Sequence, residues 1–224
     1  MRACVRGLVF SFLLAGAASA QLIISAHSGA IQSVEGTVYL DDKPVQPTAG
    51  ELPAIKEGQV FRTEQGMGEV LMTPGVFLRL GENSSIKMVS SKLSDMRVEV
   101  LGGSVLAECD NLEKASAFML VYRGNSVSLT KHGLYRVDAD QGLFKVYDGE
   151  AIVRAASGQL TLHKGKQTPL NGVLMTERFD IKNEDALYQR RNRRYRQSCG
   201  RLTPRIQDFA IPQANLAWRP IATA

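Results

Sequence analysis

Five arginines stand close together near the C-terminus, at Arg190, Arg191, Arg193, Arg194 and Arg196, with Tyr188 and Tyr195 beside them. Guanidinium groups bind phosphate and carboxylate oxygens in bidentate geometry, and aromatic neighbours add stacking and interfacial anchoring. The cluster therefore suits an anionic partner: lipid headgroups, a phosphorylated envelope polymer or an acidic protein face. Arginines with aromatics also suit nucleic acid, but the exported location argued below sets that partner aside. The candidate partner-binding residues are Arg190, Arg191, Arg193, Arg194, Tyr188 and Tyr195. The plainer alternative is a solvated helix that packs Leu187 and Tyr188 onto the preceding domain.

Elsewhere the chemistry-bearing residues do not assemble into a reactive pattern. The histidines are His27, His132 and His163, and no two stand at metal-ligand spacing. There is no Cys-x-x-Cys, no His-Glu-x-x-His and no Gly-x-Ser-x-Gly elbow. Glu108 with Asp110, and Asp138 with Asp140, could serve acid/base work or calcium. Each pair falls at a strand end, where solvated turn residues are expected. No catalytic residue, cofactor or metal ligand is expected from the sequence.

Charge is divided unevenly among the elements that must carry these residues. Residues 21–181 hold 16 Lys/Arg against 19 Asp/Glu, a net of −3, whereas residues 182–224 hold 9 against 3, a net of +6. The basic balance thus belongs to a tail, and a nucleic-acid-binding fold would carry it on the domain.

The N-terminus has the form of an export signal. Arg2 and Arg6 precede the apolar run Gly7–Leu14, and Ala18-Ser19-Ala20 offers a small-x-small cleavage point before Gln21. If uncleaved, the apolar stretch through Leu22-Ile23-Ile24 reaches the roughly 20 residues that span a bilayer and would act as an inner-membrane anchor. Either outcome places the domain outside the cytoplasm, in the periplasm or secreted. Cys4 leaves with a cleaved signal, so Cys109 and Cys199 remain, either bridged or as two separate thiols.

From Ile31 to about Leu170 short β-type runs alternate with glycine turns. Pro74-Gly75 separates Glu69–Thr73 from Val76–Leu80, and Gly102-Gly103 separates Arg97–Leu101 from Ser104–Glu108, each spacing predicting a hairpin. Tyr135, Val137 and Ala139 alternate with Arg136, Asp138 and Asp140, as a half-buried strand requires. The expected fold is all-β, with packed antiparallel sheets arranged as a β-sandwich or a short β-solenoid. A basic helix capped by Asn183 and Gly200 and a mobile tail complete the chain. The expected divisions are a signal at 1–20, a linker at 21–30, the β-domain at 31–180, the helix at 181–200 and the tail at 201–224.

Three stretches carry a family resemblance. They are Val34-Glu35-Gly36-Thr37-Val38; Lys56–Thr63 with Gly68–Met72 and Val76–Ser85; and Gly133–Val137 with Phe144–Ala151. Together they resemble the FecR domain, named after the ferric-citrate regulator of bacterial envelopes. The resemblance implies a periplasmic β-domain that binds or signals without catalysis. Family regulators pass a transport signal to a cytoplasmic sigma factor. Only six residues precede the apolar segment here, so no sigma-binding region is expected before it, and Leu134 stands where the family commonly has threonine. The sequence thus predicts a non-enzymatic envelope module that engages a protein or an anionic polymer. A structural scaffold anchored by its basic tail, or a carbohydrate-active β-sandwich enzyme, are the alternatives.

Overall fold

The structure is a computed structural model that describes residues 28–46, 53–110 and 118–181 and the single residue Leu187. The signal segment, the tail 201–224 and Tyr188, Arg190, Arg191, Arg193, Arg194 and Tyr195 lie outside the described residues.

From Ala30 to Arg178 the described chain consists of strands and the turns between them. Its strands are β1 (Ala30–Leu40), β2 (Lys43–Pro44), β3 (Val60–Thr73), β4 (Val76–Leu80), β5 (Ser85–Lys92), β6 (Asp95–Gly102), β7 (Ser104–Cys109) and β8 (Phe118–Tyr122). They continue as β9 (Asn125–Leu129), β10 (Gly133–Asp138), β11 (Leu143–Asp148), β12 (Glu150–Ala155), β13 (Gly158–His163), β14 (Lys166–Pro169) and β15 (Glu177–Arg178). Alternation sets which face each strand buries. In β4, for example, Val76, Leu78 and Leu80 are buried while Phe77 and Arg79 are half-buried on the other side.

Strand β3 is the spine. Val60–Arg62 pair with β5, whereas Gly68–Thr73 pair with β4, so the two ends of one strand feed two layers. The first layer runs β5–β6–β8–β9–β12–β13 and the second β4–β7–β10–β11–β14–β15. Strand β1 follows β3 along its other edge from Ala30 opposite Leu71 to Leu40 opposite Phe61. Both strands must bend where the layers part, and they bend at Gly36 opposite Gly66. Gly36 has φ +68°, and a β-carbon there would fall 2.2 Å from the Gln65 carbonyl oxygen.

After β4 the chain alternates between layers, passing in turn through β5–β6, the single strand β7, β8–β9, β10–β11, β12–β13 and β14–β15. The layers therefore share one core, with Val98, Leu120, Val127 and Val153 from the first packed with Val105, Val137, Phe144 and Val146 from the second. Each such buried side chain contributes about 1.5–3 kcal/mol relative to exposure. Pro74-Gly75 does close the β3–β4 hairpin. Gly102-Gly103 does not close one: β6 pairs with β5 and β8, and β7 with β4 and β10. It is an interlayer corner, held by the Gly103 N–H on Asp140 Oδ1 at 3.0 Å and by the Ser104 N–H on Ser84 Oγ at 2.9 Å.

Pairing is antiparallel with one exception among the described strands. Met96–Glu99 of β6 lie parallel to Phe118–Val121 of β8. The cause is β7, which runs back in the opposite layer and returns the chain to the end where β6 began.

Candidate functional site

The last described residue before the arginine cluster is Leu187, and it is buried, at 7% exposure. It sits on the outer face of the second layer, the side turned away from the main core. There Leu106 of β7, Leu134 of β10 and Tyr147 of β11 form a second apolar cluster with it, flanked by Met67, Phe179 and Ile181. Phe179 meets Tyr147 edge-on with ring centroids 5.0 Å apart. A β-carbon on Gly81 would stand 2.6 Å from Leu187 Cδ1, so the absence of a side chain at Gly81 makes room for the leucine.

A strip of paired charges crosses the same face. Cross-strand register sets Glu69, Arg79, Leu106, Arg136, Lys145 and Gln167 side by side. Arg79 Nε donates to Glu69 Oε2 at 2.7 Å and its Nη1 donates to Glu108 Oε2, with the three side chains only 17%, 14% and 9% exposed. Arg136 Nη2 lies 3.2 Å from Asp138 Oδ2 and donates to Ser104 Oγ at 2.8 Å. The sequence reading of Glu108 and Asp138 as solvated turn residues is therefore corrected: both are buried and ion-paired. Phe179, Ile181 and Leu187 lie on this same face, in the apolar cluster beside the strip.

Beside the strip is an open cleft of about 370 Å³ whose lining includes Glu108, Asp110, His132, Asp148, Lys164 and Ile181. Lys164 Nζ bonds Asp148 Oδ1 at 3.0 Å, and this bond, aided by its charge, holds the carboxyl below its ordinary value. Cys109 also borders the cleft. Burial, reinforced by the charges of Asp110 and Glu108, pushes its thiol up to about 12, which suppresses the thiolate that nucleophilic chemistry needs. The Cys109 thiol is free, and Cys199, the other end of the bridge considered from the sequence, lies outside the described residues. Among the described residues no three His, Cys, Asp or Glu side chains meet in a metal-binding group. His163 Nδ1 lies 3.2 Å from Glu150 Oε2, which Lys131 Nζ also contacts at 2.9 Å, a surface ion cluster at the β12–β13 edge.

Sequence reasoning missed the Glu69–Arg79–Glu108 network. Counting outward from Pro74-Gly75 places Arg79 opposite Val70, and it is the β-bulge between Leu71 and Thr73 that shifts the register by one and sets Arg79 opposite Glu69. Nothing local could bring in Glu108, which reaches β4 only through the interlayer corner.

No protein-family model and no curated protein matches the chain. Two solved structures from Parabacteroides distasonis ATCC 8503, each provisionally described as an anti-sigma factor, are similar to it. One is 16% identical, with a TM-score of 0.46 over 55% of this chain and 61% of that one. The other is 15% identical, with a TM-score of 0.45 over 54% of this chain and 59% of that one. The chain thus spans about three fifths of the length of the solved structures it matches.

Proposed function

We propose that this chain is a non-catalytic, exported binding module of the FecR-domain type, which offers an arginine-rich segment to a phosphate-bearing surface of the cell envelope. The observation that carries the reading is the burial of Leu187 on the second layer. Tyr188 follows it directly and Arg190 comes three residues later, so the cluster starts from a fixed point on a rigid sandwich. The charge division supports the same reading, since the net of −3 over residues 21–181 gives the domain no general attraction to anions. Electrostatic capture of this kind is worth roughly 1 kcal/mol for each basic group near an anionic surface. The stretches that resemble the FecR domain fall in β1, β3 and β4 and in the region from β10 to β12.

A photoreactive group placed at Tyr195 and activated in intact cells tests the reading. Crosslinks to phospholipid or phosphorylated polymer are the expected products. Crosslinks confined to one protein would replace the anionic surface by a protein partner.

A further inference from the structure

We propose that two copies of this chain pair through β13, antiparallel about a two-fold axis at Thr161, so that their first layers join into one sheet. The open edge of β13 carries the argument. The Thr130 N–H donates to the Glu150 carbonyl, so Glu150 turns its backbone toward β9. Ala151, Val153 and Ala155, one residue out of phase, turn theirs toward β13. Their partners there are Leu162, Leu160 and Gly158, the last closing a two-residue turn at Ala156-Ser157. The backbone N–H and C=O groups of Gln159, Thr161 and His163 therefore point away from β12. Among the described residues no strand lies on that side.

The other edges among the described residues are blunted. β2 is two residues long and holds Lys43 and Pro44, and β15 is two residues long and ends on Arg178. β1 is closed by β2 at one end and by the Ala30–Ala54 bridge at the other. β13 instead runs for six residues in unbroken register, without a lysine, a proline or a bulge. Its sequence is self-complementary about Thr161: Thr161 meets Thr161, Gln159 meets His163, and on the core side Leu160 meets Leu162. Leu162 is buried and Leu160 half-buried, so pairing extends the core across the junction. Register sets Arg154 beside Gln159 and Glu150 beside His163. Each outer row therefore leads from a cation in one copy to a carboxylate in the other, with no like charges opposed. Apolar surface borders the same hairpin: Val173, 70% exposed, shares an open cleft with Ala155, Ala156 and Ser157. Each copy offers one such edge, so the pairing closes as a dimer. It makes no use of the arginine-rich segment and stands whether or not that segment binds an anionic surface.

Backbone hydrogen exchange, read residue by residue in the full mature chain, tests the pairing. Raising the chain concentration should slow exchange at the Gln159 and Thr161 amides, by about tenfold once roughly nine tenths of the chain is paired. The Leu160 and Leu162 amides, bonded to β12, should be protected in dilute and concentrated samples alike. Thr161→Lys sets two ammonium groups directly opposite one another. It should weaken association on the order of tenfold or more, as sedimentation equilibrium would show. Thr161 is exposed, so the change leaves the core intact. Replacing Arg190, Arg191, Arg193 and Arg194 by Gln should leave association unchanged. Exchange at Thr161 that ignores concentration overturns the proposal, and so does association that survives Thr161→Lys unweakened or disappears with the arginines.

Discussion

Leu187 and Gly81 are fitted to one another: the leucine Cδ1 occupies space that any β-carbon at position 81 would invade, at 2.6 Å. The contact joins the end of the domain to the start of the arginine segment. Leu187→Ala should cost about 2–4 kcal/mol, the range for a buried leucine that leaves a cavity. Gly81→Ala should cost about 1–3 kcal/mol by overpacking. Because each change relieves the other's constraint, the double variant should be less destabilised than the sum, which denaturant titration of all three would show.

Gly36 is the strictest position in the fold. Gly36→Ala would combine a left-handed backbone at φ +68° with a contact of 2.2 Å on the Gln65 carbonyl. Neither neighbour is a flexible side-chain tip, so the β1–β3 bend must open. A loss of more than about 2 kcal/mol is expected, combining backbone strain and overpacking. Thermal melting of Gly36→Ala against Gly58→Ala separates strain from crowding, since Gly58 also has a positive φ but open space around it.

Arg79→Met should remove the guanidinium that joins Glu69 to Glu108 on a partly buried face. The expected cost is about 1–3 kcal/mol, below that of a fully buried pair because solvent still reaches the strip. Adding Glu69→Gln and Glu108→Gln should recover most of it, as measured by chemical denaturation.

Acid should weaken the domain. Hydrogen bonds from Lys131 to Glu150 and from Lys164 to Asp148 hold both carboxyls below their ordinary values. Folded values lower than unfolded ones mean that this stabilisation is complete above the ordinary carboxylate range and is lost as pH falls through the folded values. The melting temperature should therefore be flat near neutrality with respect to these groups and decline below about pH 4, the ordinary range. A Glu150→Gln, Asp148→Asn variant should show a shallower acid decline.

Cys109 should resist thiol reagents in the native chain at pH 8, because burial raises the thiol to about 12. Denaturant should expose it and restore ordinary labelling, which mass spectrometry of the labelled peptide would report.

Strand identity was legible in the sequence because apolar and polar residues alternate, as in Tyr135, Arg136, Val137 and Asp138. Turns were legible as turns, but not as hairpin or corner. Pro74-Gly75 and Gly102-Gly103 carry similar local signals, and only the pairing of β7 with β4 and β10 makes the second a corner. Likewise Glu69–Thr73 reads as a strand by itself, whereas it is the end of one continuous strand, Val60–Thr73, that bends at Gly66. The possible packing of Leu187 was legible from its place ahead of the arginines. The burial of Glu108 was not, since its place beside Arg79 depends on the pairing of β7 with β4 across the interlayer corner.

Co-sedimentation with anionic vesicles across a salt series tests the central claim most directly. The full mature chain should bind at low salt and release as screening shortens the Debye length from about 10 Å at 0.1 M toward 3 Å at 1 M. Replacing Arg190, Arg191, Arg193 and Arg194 by Gln removes up to about 4 kcal/mol, or roughly a thousandfold in affinity. Binding by that variant equal to the unmodified chain, or binding that ignores salt, would contradict the account and move the interaction surface onto the sheets.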